Sequence, residues 1–184
     1  MATAPSHASH PSYRETLPAP AWVWAVLLLS FLVLVASWAL FRDEVRASDP
    51  GISWLWDAAF VPSILAIPAV MQWLGRLEIL VDGDALRLRF GFWRPYEKRI
   101  PLADVLRAEA VRYRPIRQFG GWGIRWGRFG GQATSVYSIR GNEGVLLVLS
   151  RPVRTLFFHT GQVLIGSLQP ERLAAHLNAL RASR

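Results

Sequence analysis

The chain contains no cysteine, which excludes disulfides, thiolate nucleophiles, iron–sulfur clusters and cysteine-type zinc sites. Lysine is almost missing as well: Lys98 stands alone beside 20 arginines. No Gly-Lys-Ser/Thr run follows any glycine-rich stretch, so a nucleotide P-loop is excluded. The four histidines do not gather. His7 and His10 lie in a polar segment with no further ligands, His159 sits at a turn edge, and His176 falls beside an apolar stripe. Asp104, Glu109 and Glu143 are scattered carboxylates without a histidine or metal partner. The reading is therefore non-enzymatic, with no metal and no cofactor.

Charge is missing altogether from residues 21–41, and nearly so from residues 55–74, which hold Asp57 alone. As helices, these runs of about twenty residues would each cover about 30 Å, the hydrocarbon thickness of a bilayer. Trp22 and Trp24 at one end of the first run and Trp38 at the other suit the two interfacial belts. A cleaved signal peptide competes through Ser37-Trp38-Ala39, but the apolar run is longer than an h-region and starts about twenty residues in. Residues 21–74 thus read as a two-helix transmembrane hairpin with a polar connector at 42–50. Asp57, near the connector, is within reach of water. Pro62 and Pro68 would kink the second helix. Residues 1–20, rich in Ala, Ser, Pro and His, read as a disordered tail.

The charge that is present is unevenly placed. Residues 76–184 carry 17 Arg and one Lys against eight acids, whereas residues 1–75 carry three Arg against five. Close to the two spans, Arg14, Arg76, Arg87, Arg89 and Arg94 outnumber Arg42 and Arg46 of the connector. The positive-inside rule then places both termini in the cytoplasm, on the inner (plasma) membrane. A basic domain held there is attracted to anionic lipid by about 1 kcal/mol per near-surface Arg. Simple arginine-biased composition is the competing explanation.

From Arg76 the period changes to two. Leu77, Ile79 and Val81 alternate, Asp82-Gly83-Asp84 turns, and Leu86, Leu88 and Phe90 alternate in return. Further strands are expected at 96–100, 106–114, 135–140, 145–150, 155–158 and 162–167. A closing helix begins at Pro170, with Leu173, Leu177 and Leu180 on one stripe. The expectation for residues 75–184 is an α+β, mainly-β domain: a PH-like, seven-stranded antiparallel barrel capped by a C-terminal helix.

Residues 114–131 hold six glycines, four aromatics and four arginines. Glycine lets backbone N–H groups approach an anion, and guanidinium forks match phosphate or carboxylate oxygens. Arg117, Arg125 and Arg128 are the candidate anion or headgroup site. Trp73, Arg76, Trp122 and Trp126 are candidate membrane-interface residues. Two structural alternatives stand beside this: the glycines as bulges in a curved strand, and the tryptophans as core. Nucleic acid is a poor fit to a membrane-tethered domain.

The segment Ile100-Pro101-Leu102-Ala103-Asp104-Val105 resembles the Ile-Pro-x-x-Asp/Glu-Ile/Val turn of bacterial PH-like domains. Together with Gly120-Gly121-Trp122-Gly123-Ile124-Arg125-Trp126-Gly127, Gly141-Asn142-Glu143-Gly144-Val145 and Leu164-Ile165-Gly166-Ser167, it resembles a family of small bacterial two-span membrane proteins with a cytoplasmic PH-like domain. The resemblance implies architecture and membrane location rather than an activity. Arg76 and Arg87-Leu88-Arg89 match the phosphoinositide-binding spacing only superficially, because the turn between them is short and acidic, so that function is not carried over. The expected role is a membrane-anchored binding module at the inner face, with membrane lipids and a protein as partners. An accessory subunit of a larger membrane complex is the alternative.

Overall fold

A computed structural model describes residues 12–48, 51, 53–93, 96–155 and 158–183. The two apolar runs form helices α1 (Ala21–Ser48) and α2 (Ser53–Leu74). Both are long and apolar enough to cross a membrane. No residue of α1 is buried, so its apolar surface faces outward, as lipid contact requires. The connector is shorter than its polarity suggests. Nothing in Arg-Asp-Glu-Val-Arg-Ala-Ser breaks a helix, so α1 runs on through residue 48 before Pro50 intervenes. Residues 49 and 50 lie outside the described set. The helices are tied at this end through Asp57. Trp38 Nε1 donates to its Oδ1 at 2.9 Å, Arg46 donates to its Oδ2 at 2.8 Å, and the Arg42 guanidinium lies 4.8 Å from the Trp38 ring centroid.

The expected disordered tail is corrected where it is described. Residues Tyr13–Pro18 form strand β1, which pairs antiparallel with β2 (Arg76–Val81) from Tyr13↔Val81 to Pro18↔Arg76. Two residues separate β1 from α1, and one separates α2 from β2. The ladder therefore fastens the two helix roots together. If both helices span a bilayer, β1 and the carboxyl-terminal domain must occupy the same side of it. His7 and His10 lie outside the described residues.

Strands β3 (Ala85–Phe90) and β4 (Tyr96–Pro101) complete a four-stranded sheet in the order β1-β2-β3-β4. A 3-10 turn at Leu102–Asp104 leads to β5 (Val105–Arg112) and a one-turn helix α3 (Pro115–Phe119). Strands β6 (Gly123–Phe129), β7 (Gln132–Ser138), β8 (Glu143–Thr155) and β9 (Phe158–Gly166) follow, and α4 (Pro170–Ala182) closes the chain. The second sheet has the order β5-β8-β9-β7-β6, with β7 and β9 parallel. Two sheets of four and five strands thus replace the expected closed, seven-stranded antiparallel barrel. The sequence hides this because β1 is recruited from beyond the helices, and β6 forms from a glycine-rich stretch for which a curved strand is one alternative beside a binding loop.

The two sheets close on one core. Leu77, Ile79, Leu86, Leu88, Phe90 and Ile100 of the first meet Tyr137, Val145, Leu147, Val163 and Ile165 of the second, with Leu173 and Leu177 of α4. A smaller cluster of Tyr113, Phe119, Val136, Leu146 and Leu164 lies on the other face of the second sheet, beneath α3. Where β8 pairs with β9 at Gly144↔Gly166, the backbones leave no room for a side chain: a Cβ on Gly144 would stand 2.3 Å from the Ile165 carbonyl oxygen. Gly144→Ala is expected to destabilise the domain by about 1–3 kcal/mol or more. A lowered urea midpoint for the full chain in detergent checks this, and an unchanged midpoint contradicts it.

Candidate functional site

The arginines nominated from sequence do not form one cluster. Successive side chains of a strand point to opposite faces, so Arg125 and Arg128 of β6 are divided between the two sides of the sheet. Arg125 shares the face of Gly127, where a Cβ would meet Phe119 of α3 at 2.6 Å. Arg128 shares the face of Ile124, which packs on the main core. Arg117 is an exposed residue of α3.

What the fold assembles instead is a corner built on Trp122. Its indole Nε1 donates to the Gly141 carbonyl at 2.9 Å, and its backbone oxygen accepts from Arg125 Nε at 3.2 Å. Its ring packs edge-on against Trp22 of α1, with centroids 6.3 Å apart. The local fold explains this placement. Pro115 opens α3, Gly120 ends it in the left-handed conformation (φ 73°), and Gly121 N donates to Pro115 O at 3.0 Å, turning the chain back into Trp122. Tyr113 N donates to Asn142 O at 2.8 Å, which brings Arg114 to the same corner, and Arg140 immediately precedes Gly141. Pro20, Val23, Trp122, Gly123 and Ile139 line a small recess of about 140 Å³ where this corner meets α1.

Arg114 and Arg140 are therefore chain neighbours of the residues that build this corner, and Arg125 is bonded to it through the Trp122 carbonyl. Sequence reasoning nominated Arg125 and passed over Arg114 and Arg140. A signal was present: residues 110–142 contain six arginines and no acid. Among the described residues only Arg112 of these six has a carboxylate partner, Glu143 at 2.6 Å. Elsewhere ion pairs are common, as in Arg87–Asp82 and Arg89–Glu97.

A second contact joins the β3–β4 turn to the helix roots. Phe92 N donates to Gln72 O at 3.2 Å and Gly91 N to Arg76 O at 2.9 Å, so the β3–β4 turn folds back along α2. Phe92 stacks near Trp24, and Arg76 lies over its ring at 5.8 Å. Gly75 makes room for this turn, since a Cβ there would reach 2.2 Å from the Phe92 ring. Trp73 borders an open groove with Pro68, Gln72 and Trp93, and Trp93 is 86% exposed. Trp22, Trp24, Trp73, Phe92, Trp93 and Trp122 make an aromatic collar at the helix roots, the position such residues take at a lipid–water boundary. Trp73, Arg76 and Trp122 thus stand at the helix roots. Trp126 packs instead against Phe158, with ring centroids 4.3 Å apart.

Two apolar helices rooted in a two-sheet domain define the class as a candidate membrane-hairpin protein. Comparison of the chain with protein families, with curated proteins and with solved structures finds no match in any of the three. Among the described residues no group of three or more His, Cys, Asp or Glu converges as a metal site.

Proposed function

We propose that this protein is a membrane-anchored, non-catalytic binding module at the cytoplasmic face of the inner membrane. Its sheet domain rests against the lipid surface and engages anionic headgroups through Arg114, Arg125 and Arg140. The observation that carries the reading is the Trp122 corner. There Arg125 bonds the Trp122 carbonyl beside the root of an apolar helix, Arg114 and Arg140 adjoin the residues that build the corner, and among the described residues none of the three has a carboxylate partner. The side of the membrane rests on the arginine excess near the helix roots. Kinship with two-span bacterial proteins bearing PH-like domains belongs to this reading through the Ile100-Pro101 turn, without the closed barrel.

Native mass spectrometry of the full chain in neutral detergent provides the test. Phosphatidylglycerol should be retained in preference to phosphatidylcholine. Replacing Arg114, Arg125 and Arg140 together by Gln removes roughly 3 kcal/mol of attraction, about a hundredfold in affinity. Equal retention of the two lipids, or no change in the triple variant, defeats the proposal.

A further inference from the structure

The two sheets present four edges, β1, β4, β5 and β6, and these edges are not treated alike. The β5 edge is capped by α4. Asn178 Oδ1 accepts from Ala108 N at 3.3 Å, Asn178 Nδ2 donates to Ala108 O at 2.8 Å, and Arg181 donates to Leu106 O. The β4 edge is electrically balanced, with Glu97 held by Arg89 and Arg99 held by Asp84. The β1 edge is bordered by the β9–α4 turn, where Ser167 and Leu168 donate to Glu15. Strand β6 is different. Among the described residues its backbone partners lie on one side alone, in β7. Among the described residues its arginines face no carboxylate.

We infer that the open edge of β6 is a docking strand for an extended acidic peptide segment, which adds to the sheet as a sixth strand. An exposed edge supplies main-chain hydrogen bonds to any extended chain, and side chains select among the candidates. Three features select here. Arg125 stands on one face of the strand and Arg128 on the other, so carboxylates are favoured on both faces of the incoming segment. Trp126, 59% exposed and stacked on Phe158, offers an aromatic surface on the Arg128 face. A second copy of this chain is disfavoured at the edge, because it would bring the same unpaired arginines against these.

The register follows from the strand period. Arg125 and Arg128 are three residues apart, about 10 Å along the strand. Residues opposite them on an added strand are also three apart, and one of the two between faces Trp126. The recognised pattern is acid-x-x-acid, with an apolar residue at one of the middle positions. This surface is separable from the lipid corner: Arg128 and Trp126 belong to the edge, Arg114 and Arg140 to the corner, and Arg125 alone is common to both.

The test uses the full chain in nanodiscs of phosphatidylcholine, which carry no anionic headgroup, and a fluorescein-labelled peptide with the core Thr-Glu-Val-Val-Glu-Thr. Fluorescence anisotropy should report binding that weakens as salt is raised. Hydrogen exchange should show peptide-dependent protection of backbone amides in residues 123–129. Arg128→Gln should weaken binding about five- to tenfold and Trp126→Ala should also weaken it, whereas Arg140→Gln should leave it unchanged. No peptide binding, equal binding of a Thr-Lys-Val-Val-Lys-Thr peptide, protection outside β6, or sensitivity to Arg140→Gln instead of Arg128→Gln would each overturn the inference. Normal exchange protection of β8 and β9 in each variant confirms that it is folded. Because no lipid arm enters this experiment, its failure leaves the headgroup proposal standing, and the reverse holds as well.

Discussion

Replacing Glu15 by alanine is expected to cost the sheet domain about 3–5 kcal/mol, the sum of several buried donors left without an acceptor. Glu15 is 8% exposed and its carboxylate accepts three hydrogen bonds: from Tyr13 Oη at 2.9 Å, Ser167 Oγ at 2.7 Å and Leu168 N at 2.6 Å. Those donors belong to two distant parts of the chain, β1 and the turn between β9 and α4. One carboxylate thus joins the amino-terminal strand to the carboxyl-terminal helix. Burial and the adjacent carboxylate hold the Tyr13 phenol well above its ordinary pKa, so it remains a donor at neutral pH. Pulse proteolysis of the full chain in detergent should show the urea midpoint falling by about 2 M. Glu15→Gln, which keeps the shape and one acceptor oxygen, should lose less. A midpoint for Glu15→Ala within about 0.3 M of the parent would show that the latch contributes little.

The second large effect is expected at Phe90. This ring is fully buried and lies 6.3 Å from the Tyr96 ring and 6.2 Å from Tyr137, so it bridges the first sheet to the second. Tyr137 in turn shares a 2.8 Å hydrogen bond with Thr155, where the β8–β9 hairpin folds over the core. Burial raises the Tyr137 pKa and keeps that hydroxyl neutral. Phe90→Ala removes a full aromatic side chain from a packed interior, at a cost of about 3–5 kcal/mol. Because the ring touches both sheets, hydrogen exchange should quicken in β3 and in β7 together. Faster exchange confined to the first sheet would mean that the two sheets are held by other contacts.

Much of this architecture was legible from residue patterns. The charge-free run at 21–41 and its flanking tryptophans mark α1. The period-two alternation of Leu77, Ile79 and Val81 with their return partners marks β2 and β3. Pro170 and the leucines at 173, 177 and 180 mark α4. Strand β1 was not legible, for two physical reasons. Its inward positions include Glu15, a charged residue where alternation calls for an apolar one, and its partner lies beyond two helices. Strand β6 was legible only as one alternative, glycines in a curved strand, because glycines ordinarily signal loops. Gly127 is instead the place where α3 lies against the strand. The candidate site was half visible. Composition pointed to the segment that contains Trp122 and Arg125, but Arg114 and Arg140 are brought near them only through the Trp122–Gly141 hydrogen bond and the turn at Asn142. No local pattern encodes a contact of that kind.

The pairing of β1 with β2 also sets an order of events during synthesis. Pro18 leaves the ribosome about 60 residues ahead of Arg76, a wait on the order of 3–12 s at ordinary elongation rates. Throughout that interval Tyr13 and Leu17 have no sheet to enter. If the two apolar helices insert into lipid with their roots on the ribosome's side, the amino-terminal strand stays on the near side, held in reserve, until the last turn of the hairpin has been made. Once zipped to β2, it could cross the bilayer only by stripping six residues out of a finished sheet. Folding of the sheet domain would thus lock whichever orientation the two helices had taken.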